Sequence, residues 1–458
     1  MILLNTIQQA VDTLVNDPAA QEIVRQSANA DASSNTGLVI AVIGLLIFAA
    51  HLFTEIFDRK RIPDVLLLMI IGLALGPIFH LVKPEELGPV ASVFTTITLV
   101  IILFESGTKL DFNTLLNSIR GTMKLTLINF FVTMIVVALL GLIVKVDFLT
   151  SLMLGAIVGG TSSAVVIPLV SQLKISEKGG TILILESAFS DVLCIVFTWA
   201  FLQAIQSGAM NVGRIIGEIL SSFILATVIG VVAAILWSYV LKRVRHVKNS
   251  ILTTPAFVFI VYGFNEWLGF SGAIAALAFG IGMANIDSMF ADGFIIKRVF
   301  KEKPANLNDT EKQLFSEVVF LLKTFFFVYI VVSIKLDQLT PILIGLAITV
   351  VLFALRIPIV MLSVKREKDN MPLQDKLFMS GIVPKGLAAA VLATIPVQRG
   401  LAGGETIQNV VFAVILFSIL FTSIMVPILE KDNALSRMYK RCFSPRKEPS
   451  ITDIIDQA

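Results

Sequence analysis

Two acids stand close together in an apolar stretch, Glu186-Ser187-Ala188-Phe189-Ser190-Asp191, and three bases, Lys323, Arg356 and Lys385, stand in comparable surroundings. A charged side chain at the centre of a bilayer costs about 2.5–3.5 kcal/mol on insertion scales, so each of these residues needs a partner or a task. Glu105 joins this set, whereas Glu218, Glu266 and Glu317 fall nearer the ends of apolar runs and read as interfacial. Five positions on a helix turn through about 500°, so the carboxylates of Glu186 and Asp191 point to different faces, while Ser187 shares the face of Asp191. The spacing favours one structural carboxylate and one free to bind either a dehydrated cation or a proton. A carboxylate ionised above about pH 4 in water trades protons near neutral pH only where burial disfavours its charged form. A buried ion pair is the competing reading for either acid, and two acids with three bases leave room for both roles. Hard cations prefer oxygen ligands, which the hydroxyl run Thr161-Ser162-Ser163 supplies. The alternative for these hydroxyls is ordinary bonding to their own or neighbouring helices.

The elements that must position these residues are membrane helices. The 458 residues are 56% hydrophobic and 15% charged, against about 25% charged in soluble domains. Apolar runs of about 20 residues, enough to cross about 30 Å of hydrocarbon, recur along the chain. They lack the alternation of a barrel strand, and lipid offers no partner to a free backbone group, so the spans are helices. The expected fold is an all-α polytopic membrane protein of about thirteen transmembrane helices. Residues 1–37 are expected to form an extracytoplasmic segment, 38–429 the transmembrane domain and 430–458 a short cytoplasmic tail. Most of the 36 basic residues fall on alternate connections and in the tail, which places the N-terminus outside and the C-terminus in the cytoplasm of a multi-pass protein of the cell (inner) membrane. Two cysteines, Cys194 and Cys442, and three scattered histidines make neither a disulfide framework nor a metal set. Nothing points to a cofactor, to nucleic acid, or to a nucleophile with its base, so an enzyme is not expected.

A self-comparison finds Thr108-Lys109-Leu110-Asp111 echoed by Ile334-Lys335-Leu336-Asp337, 226 positions on, and the same offset aligns Gly155, Gly160, Ala164 and Val165 with Gly381, Gly386, Ala390 and Val391. Seven spans separate the partners, and an odd displacement inverts each helix, which predicts an inverted-topology repeat. Both members of the second pair, Gly155 to Pro168 and Gly381 to Pro396, are interrupted by glycine, proline and polar residues. In such architectures these are two broken, crossing helices whose freed backbone faces an ion site.

These motifs together resemble those of the monovalent cation:proton antiporter superfamily, in its electroneutral sodium/proton exchanger branch. Leu103 to Asp111 resembles the third-span signature, Glu186-Ser187 to Asp191 the Glu-Ser-x-x-Asn-Asp motif, and Phe325-Phe326-Phe327 the aromatic tenth span. Leu355-Arg356-Ile357-Pro358 is similar to the Arg-Pro eleventh span, and Gly381 to Gly386 to the Arg-Gly broken helix, with Lys385 in the place of arginine. The resemblance implies a homodimer with an elevator-type motion, a dimerisation part at about 38–108 and 250–335, a core part at about 122–206 and 340–429, and a linking helix at about 212–241. It implies that Asp191 carries the cation or proton, that Glu186 and Arg356 form a structural ion pair, and that Thr161, Ser162 and Ser187 neighbour the ion. Lys385 is expected to support the second broken helix, against Glu105, and Lys323 receives no role. Two departures bear on selectivity: Ser162 stands where the branch carries aspartate, and Ser190 where it carries asparagine or, in electrogenic members, aspartate. One exchangeable carboxylate implies one cation per proton, sodium in the first place. The serine pair also resembles potassium-efflux antiporters, although residues 430–458 hold no Gly-x-Gly-x-x-Gly. A gated cation channel is the remaining rival, and a single interior acid counts against it.

Overall fold

The computed structural model describes residues 44–52, 64–79, 81–82, 84–110, 112–207, 212–246, 250–292, 304–364 and 371–430. The expected N-terminal segment, most of the tail and many of the basic connecting residues lie outside these. Residues 44–52 are helical and belong to a unit of their own. The remainder of the described chain is made of helices and the segments joining them, with no strand among the described residues.

The helices are α1 (Asp64–Leu73), α2 (Pro84–Thr108), α3 (Phe112–Ile143), α4 (Phe148–Ile157), α5 (Ser163–Gln172), α6 (Glu177–Ser207), α7 (Val212–Val244), α8 (Thr253–Trp267), α9 (Gly272–Ala284), α10 (Ile286–Asp292), α11 (Asp309–Val332), α12 (Leu339–Ser363), α13 (Leu373–Gly381), α14 (Leu387–Gln398) and α15 (Gly404–Glu430). Six stretches, in α3, α6, α7, α11, α12 and α15, are long and apolar enough to cross a bilayer. Their outer faces carry exposed apolar stripes at helical spacing, Ile135, Leu139 and Ile143 on α3 and Val228, Val232, Leu236 and Val240 on α7. Glu186, Arg356 and Lys385 are buried inside. Apolar outside and charged within is the pattern of a protein whose solvent is lipid.

Each expected broken span is a pair of short helices. α4 and α5, and likewise α13 and α14, are each 9–12 residues long, about 15 Å apiece and so about half a membrane. Asp147 starts α4 by accepting hydrogen bonds from the amides of Leu149 (3.0 Å) and Thr150 (3.2 Å), satisfying donors that a helix start leaves free. The segments 158–162 and 382–386 lie between the half-helices. The inverted repeat extends well beyond the motifs that announced it: the order and bounds of α2 to α6 recur in α11 to α15 at close to the 226-residue offset.

Three of these elements have ends or interruptions with a definite local cause. The helix α1 runs on into a π-turn, Ala74–Ile78, around Pro77, which has no amide hydrogen to donate. The helices α9 and α10 part at Asn285, whose side-chain amide donates to the carbonyls of Ile281 and Leu110, both at 2.8 Å. The helix α11 begins at Asp309, where Asn308 and Glu311 form a capping box.

Two sets of helices pack mainly among themselves: α1, α2, α7, α8, α9 and α11 in one, and α3 to α6 with α12 to α15 in the other. Within the first set α2 and α9 meet backbone to backbone, since a Cβ on Gly280 would lie 2.2 Å from the Phe104 carbonyl oxygen. The helix α7 packs chiefly on α9 and also meets α6.

Candidate functional site: the crossing of two broken helices

The two breaks touch. The amide of Ser162 donates to the Pro384 carbonyl at 2.7 Å, and the Lys385 ammonium donates to the Gly160 carbonyl, also at 2.7 Å. Residues of one break therefore satisfy backbone groups that the other leaves without a helical partner, as buried backbone requires. Lys385 places its charge where α4 ends, the pole of a helix that favours a cation. Gly386 permits the close approach: a Cβ there would lie 1.9 Å from Ser162 Oγ.

The long helix α6 lies beside the crossing with both acids. Glu186 and Arg356 are fully buried and paired in fork geometry, Nη1 to Oε1 at 2.5 Å and Nη2 to Oε2 at 2.6 Å, while Arg356 Nε donates to the Met379 carbonyl at 2.8 Å. This pair ties α6 to α12 and to the end of α13. Asp191 is half-buried and accepts a hydrogen bond from Ser163 Oγ at 2.9 Å, at the first residue of α5. The two carboxylates thus have different surroundings, one neutralised by a guanidinium and one hydrogen-bonded by the Ser163 hydroxyl. Thr161 donates its amide to Ser190 Oγ at 3.0 Å, and its own hydroxyl lies 3.5 Å from the same atom. Ser162 Oγ is buried without a hydrogen-bond partner. Ser187 donates its hydroxyl to the Ile184 carbonyl of its own helix at 2.8 Å.

Glu105 and Lys385 are not paired. Glu105 forms an ion pair with Lys109, one turn along α2, and Lys385 spends its ammonium on Gly160. A carboxylate four residues before a lysine on one helix reaches it without crossing to another element, and a broken-helix lysine finds a carbonyl left free by the neighbouring break. Lys323 is buried on α11, with its ammonium 5.8 Å from the centroid of the Phe320 ring.

Three serines take part in the crossing or in its contacts with α6 and α15 without being singled out by the sequence motifs. In the sequence Ser163 is one of a hydroxyl run, and its place at the start of the second half-helix is the signal that marks it. Ser190 shows in the sequence as a departure from the motif, and the structure makes it a hydrogen-bond partner of Thr161. Ser418, on α15, accepts the amide of Lys385 at 2.9 Å, and nothing in its local sequence marks it. Among the described residues no cluster of three His, Cys, Asp or Glu side chains could hold a metal. Among the described residues, the Asp191 carboxylate and the Ser163 hydroxyl bonded to it bring together oxygen atoms of the kind a monovalent cation takes as ligands.

Residues 38–431 match the family model described as sodium/hydrogen exchanger, transmembrane. The chain is 23% identical over 369 residues to Na(+)/H(+) antiporter 1 of Methanocaldococcus jannaschii, covering 78% of this chain and 82% of that one. It is 24% identical over 397 residues to the K(+)/H(+) antiporter NhaP of Alkalimonas amylolytica, covering 84% of this chain and 65% of that one. Similarity to sodium/hydrogen exchanger 8 of Arabidopsis thaliana, at 26% identity, covers 56% of this chain and 36% of that protein, so the chain spans about a third of that relative's length. The solved sodium proton antiporter MjNhaP1 of Methanocaldococcus jannaschii superposes with a TM-score of 0.69 at 20% identity, over 86% of this chain and 98% of that one. The solved structure carries the fold, and the family match extends over nearly all of the membrane region, including both breaks and both acids of α6: the chain belongs to the sodium/hydrogen exchanger family.

Proposed function

We propose that the chain is a secondary antiporter that exchanges a monovalent cation, sodium in the first place, for protons, with Asp191 as the carboxylate for which the two compete. The observation that carries this is the contrast on α6: Glu186 is fully buried and matched by Arg356, whereas half-buried Asp191 is hydrogen-bonded, among the described residues, by the neutral Ser163 hydroxyl. A matched carboxylate has little to gain from a cation, and an unmatched one beside oxygen ligands has much. Ser162, with its unpartnered hydroxyl, and Thr161 at the break would complete the ligand set. Ser187 would contribute lone pairs rather than its proton, which is committed to Ile184.

One exchangeable carboxylate corresponds to one cation per proton and to electroneutral exchange. The helix set α3 to α6 with α12 to α15 would move as the elevator past the other set, in a homodimer of the cell membrane with the C-terminus in the cytoplasm. A second reading, potassium/proton exchange, is favoured by the serine at 162 in place of a carboxylate, because fewer charged ligands hold a small, strongly hydrated ion less well.

In proteoliposomes loaded with acid, added sodium should drive proton efflux, Asp191→Asn should abolish it, and an imposed membrane potential should leave its rate unchanged. Undiminished exchange by Asp191→Asn would remove the site assignment, and rates that follow the potential would remove electroneutrality. Sodium, potassium, lithium and rubidium compared in the same assay decide between the two cations.

A further inference from the structure

Each break is held by a serine of the long helix that follows it, and the two serines have the same chemistry. On α6, Ser190 accepts the amide of Thr161 at 3.0 Å and donates its own hydroxyl to the Ser187 carbonyl three residues back, at 3.0 Å. On α15, Ser418 accepts the amide of Lys385 at 2.9 Å and donates to the Ile415 carbonyl three residues back, at 3.0 Å. Both serines are buried, at 0% and 1% exposure. The helices α6 and α15 are repeat counterparts, yet the serines do not align at the 226-residue offset, since Ser190 falls opposite Leu416 and Ser418 opposite Val192. The hydrogen-bond arrangement is therefore shared where the sequence register is not, and the register conceals it.

A serine suits this task for a definite reason. An amide in a helix break has lost its acceptor four residues back, and a buried donor left without a partner keeps the full cost of its lost hydration. A hydroxyl whose proton is fixed on its own helix presents its lone pairs outward in a set direction. The held residue then acts across the crossing: Lys385, fixed at its amide by Ser418, reaches Gly160 with its ammonium, and Pro384, one residue earlier, accepts from Ser162.

We infer that Ser418 is a positioning residue for the ion site, acting through Lys385 and Pro384 on the first break, as Ser190 acts on it directly. The inference rests on the proposal that cation and proton compete at Asp191. Ser418 itself touches no ligand. Its loss displaces Ser162 and Gly160 relative to Asp191, so the site binds its cation less well even while the protein remains folded.

The test compares Ser418→Ala, Ser418→Thr and Ser418→Cys with the unaltered chain in proteoliposomes, reading the half-saturating sodium concentration, the maximal rate and the pH profile. Thermal melting of each variant is followed with and without sodium. Loss of one neutral hydrogen bond corresponds to about a three- to tenfold weakening. Ser418→Ala should raise the half-saturating concentration by that factor, shift the pH profile and shrink the stabilisation that sodium confers. Ser418→Thr, which keeps the acceptor, should restore all three. A lower melting temperature in Ser418→Ala with unchanged half-saturation and pH profile overturns the inference, and so does a threonine variant as impaired as the alanine. Should the alanine variant fail to fold, the weak acceptor in Ser418→Cys must give an intermediate affinity, and an unaltered affinity there overturns it equally. Asp191→Asn in parallel separates the two ideas: exchange surviving in that variant removes the site, whereas loss of exchange there with normal affinity in Ser418→Ala removes only the role of Ser418.

Discussion

A guanidinium with no exposed surface in the middle of a membrane protein survives only if its donors are used. Arg356 gives Nη1 and Nη2 to Glu186 and Nε to Met379. Removing one partner leaves the other charged and buried, which costs about 3–5 kcal/mol, whereas removing both leaves neutral groups of similar volume at much smaller cost. Glu186→Gln and Arg356→Gln should therefore each lower the melting temperature in detergent sharply, and the double variant should recover most of the loss. Additive losses would show that the two residues act separately. This pair was legible because a motif named each residue. The lysine was not legible in the same way: which carbonyl Lys385 reaches depends on how two segments 225 residues apart cross, and no local pattern records that. The partner of Glu105 was legible in principle, since Lys109 follows it by four residues on one helix.

The elements were more readable than their contacts. Paired glycine and proline interruptions at one offset marked both breaks, because the residues that allow a helix to stop are the same residues that show in a sequence. Composition could not show how near the breaks come to one another. At Gly386 that distance decides the outcome of a substitution: a methyl group there would lie 1.9 Å from Ser162 Oγ and 2.4 Å from its Cβ. Gly386→Ala should cost about 1–3 kcal/mol of stability, as overpacking does, and abolish exchange. Adding Ser162→Gly should return the stability without returning normal cation affinity, which separates the steric effect from the ligand effect. Gly217→Ala, where nothing lies within 4 Å of the added carbon, should change neither, and a similar melting temperature for all three variants would refute the close crossing.

At the scale of the molecule, the membrane class and the repeat follow from composition and offset, while the grouping of helices depends on close backbone contacts such as Gly107 against the Leu277 carbonyl, where a Cβ would lie at 2.5 Å. The two sets of helices face each other across a crevice of about 460 Å³, with a smaller one of about 150 Å³ sharing its walls. Ile195, Trp199 and Arg399 line both crevices from α6 and the end of α14, and Glu266 and Ser271 line both from α8 and the start of α9. Arg399 sits over the Trp199 ring, 5.1 Å from its centroid, within one set. Ile195 is one helical turn beyond Asp191, so the crevice ends close to the proposed ion site. If the sets slide past each other during exchange, a bridge across this crevice must stop transport, whereas a bridge inside one set must not. Cysteines at Ser271 and Arg399, joined by a short bifunctional reagent in a Cys442→Ser background, should arrest exchange, and cleaving the bridge should restore it. Cysteines at Arg245 and Glu311, an ion pair within the first set at 2.5 Å, should exchange equally well bridged or free. Transport that persists with the crevice bridged would mean that the ion moves through a static frame, and equal arrest by both bridges would mean that the first set also deforms during transport.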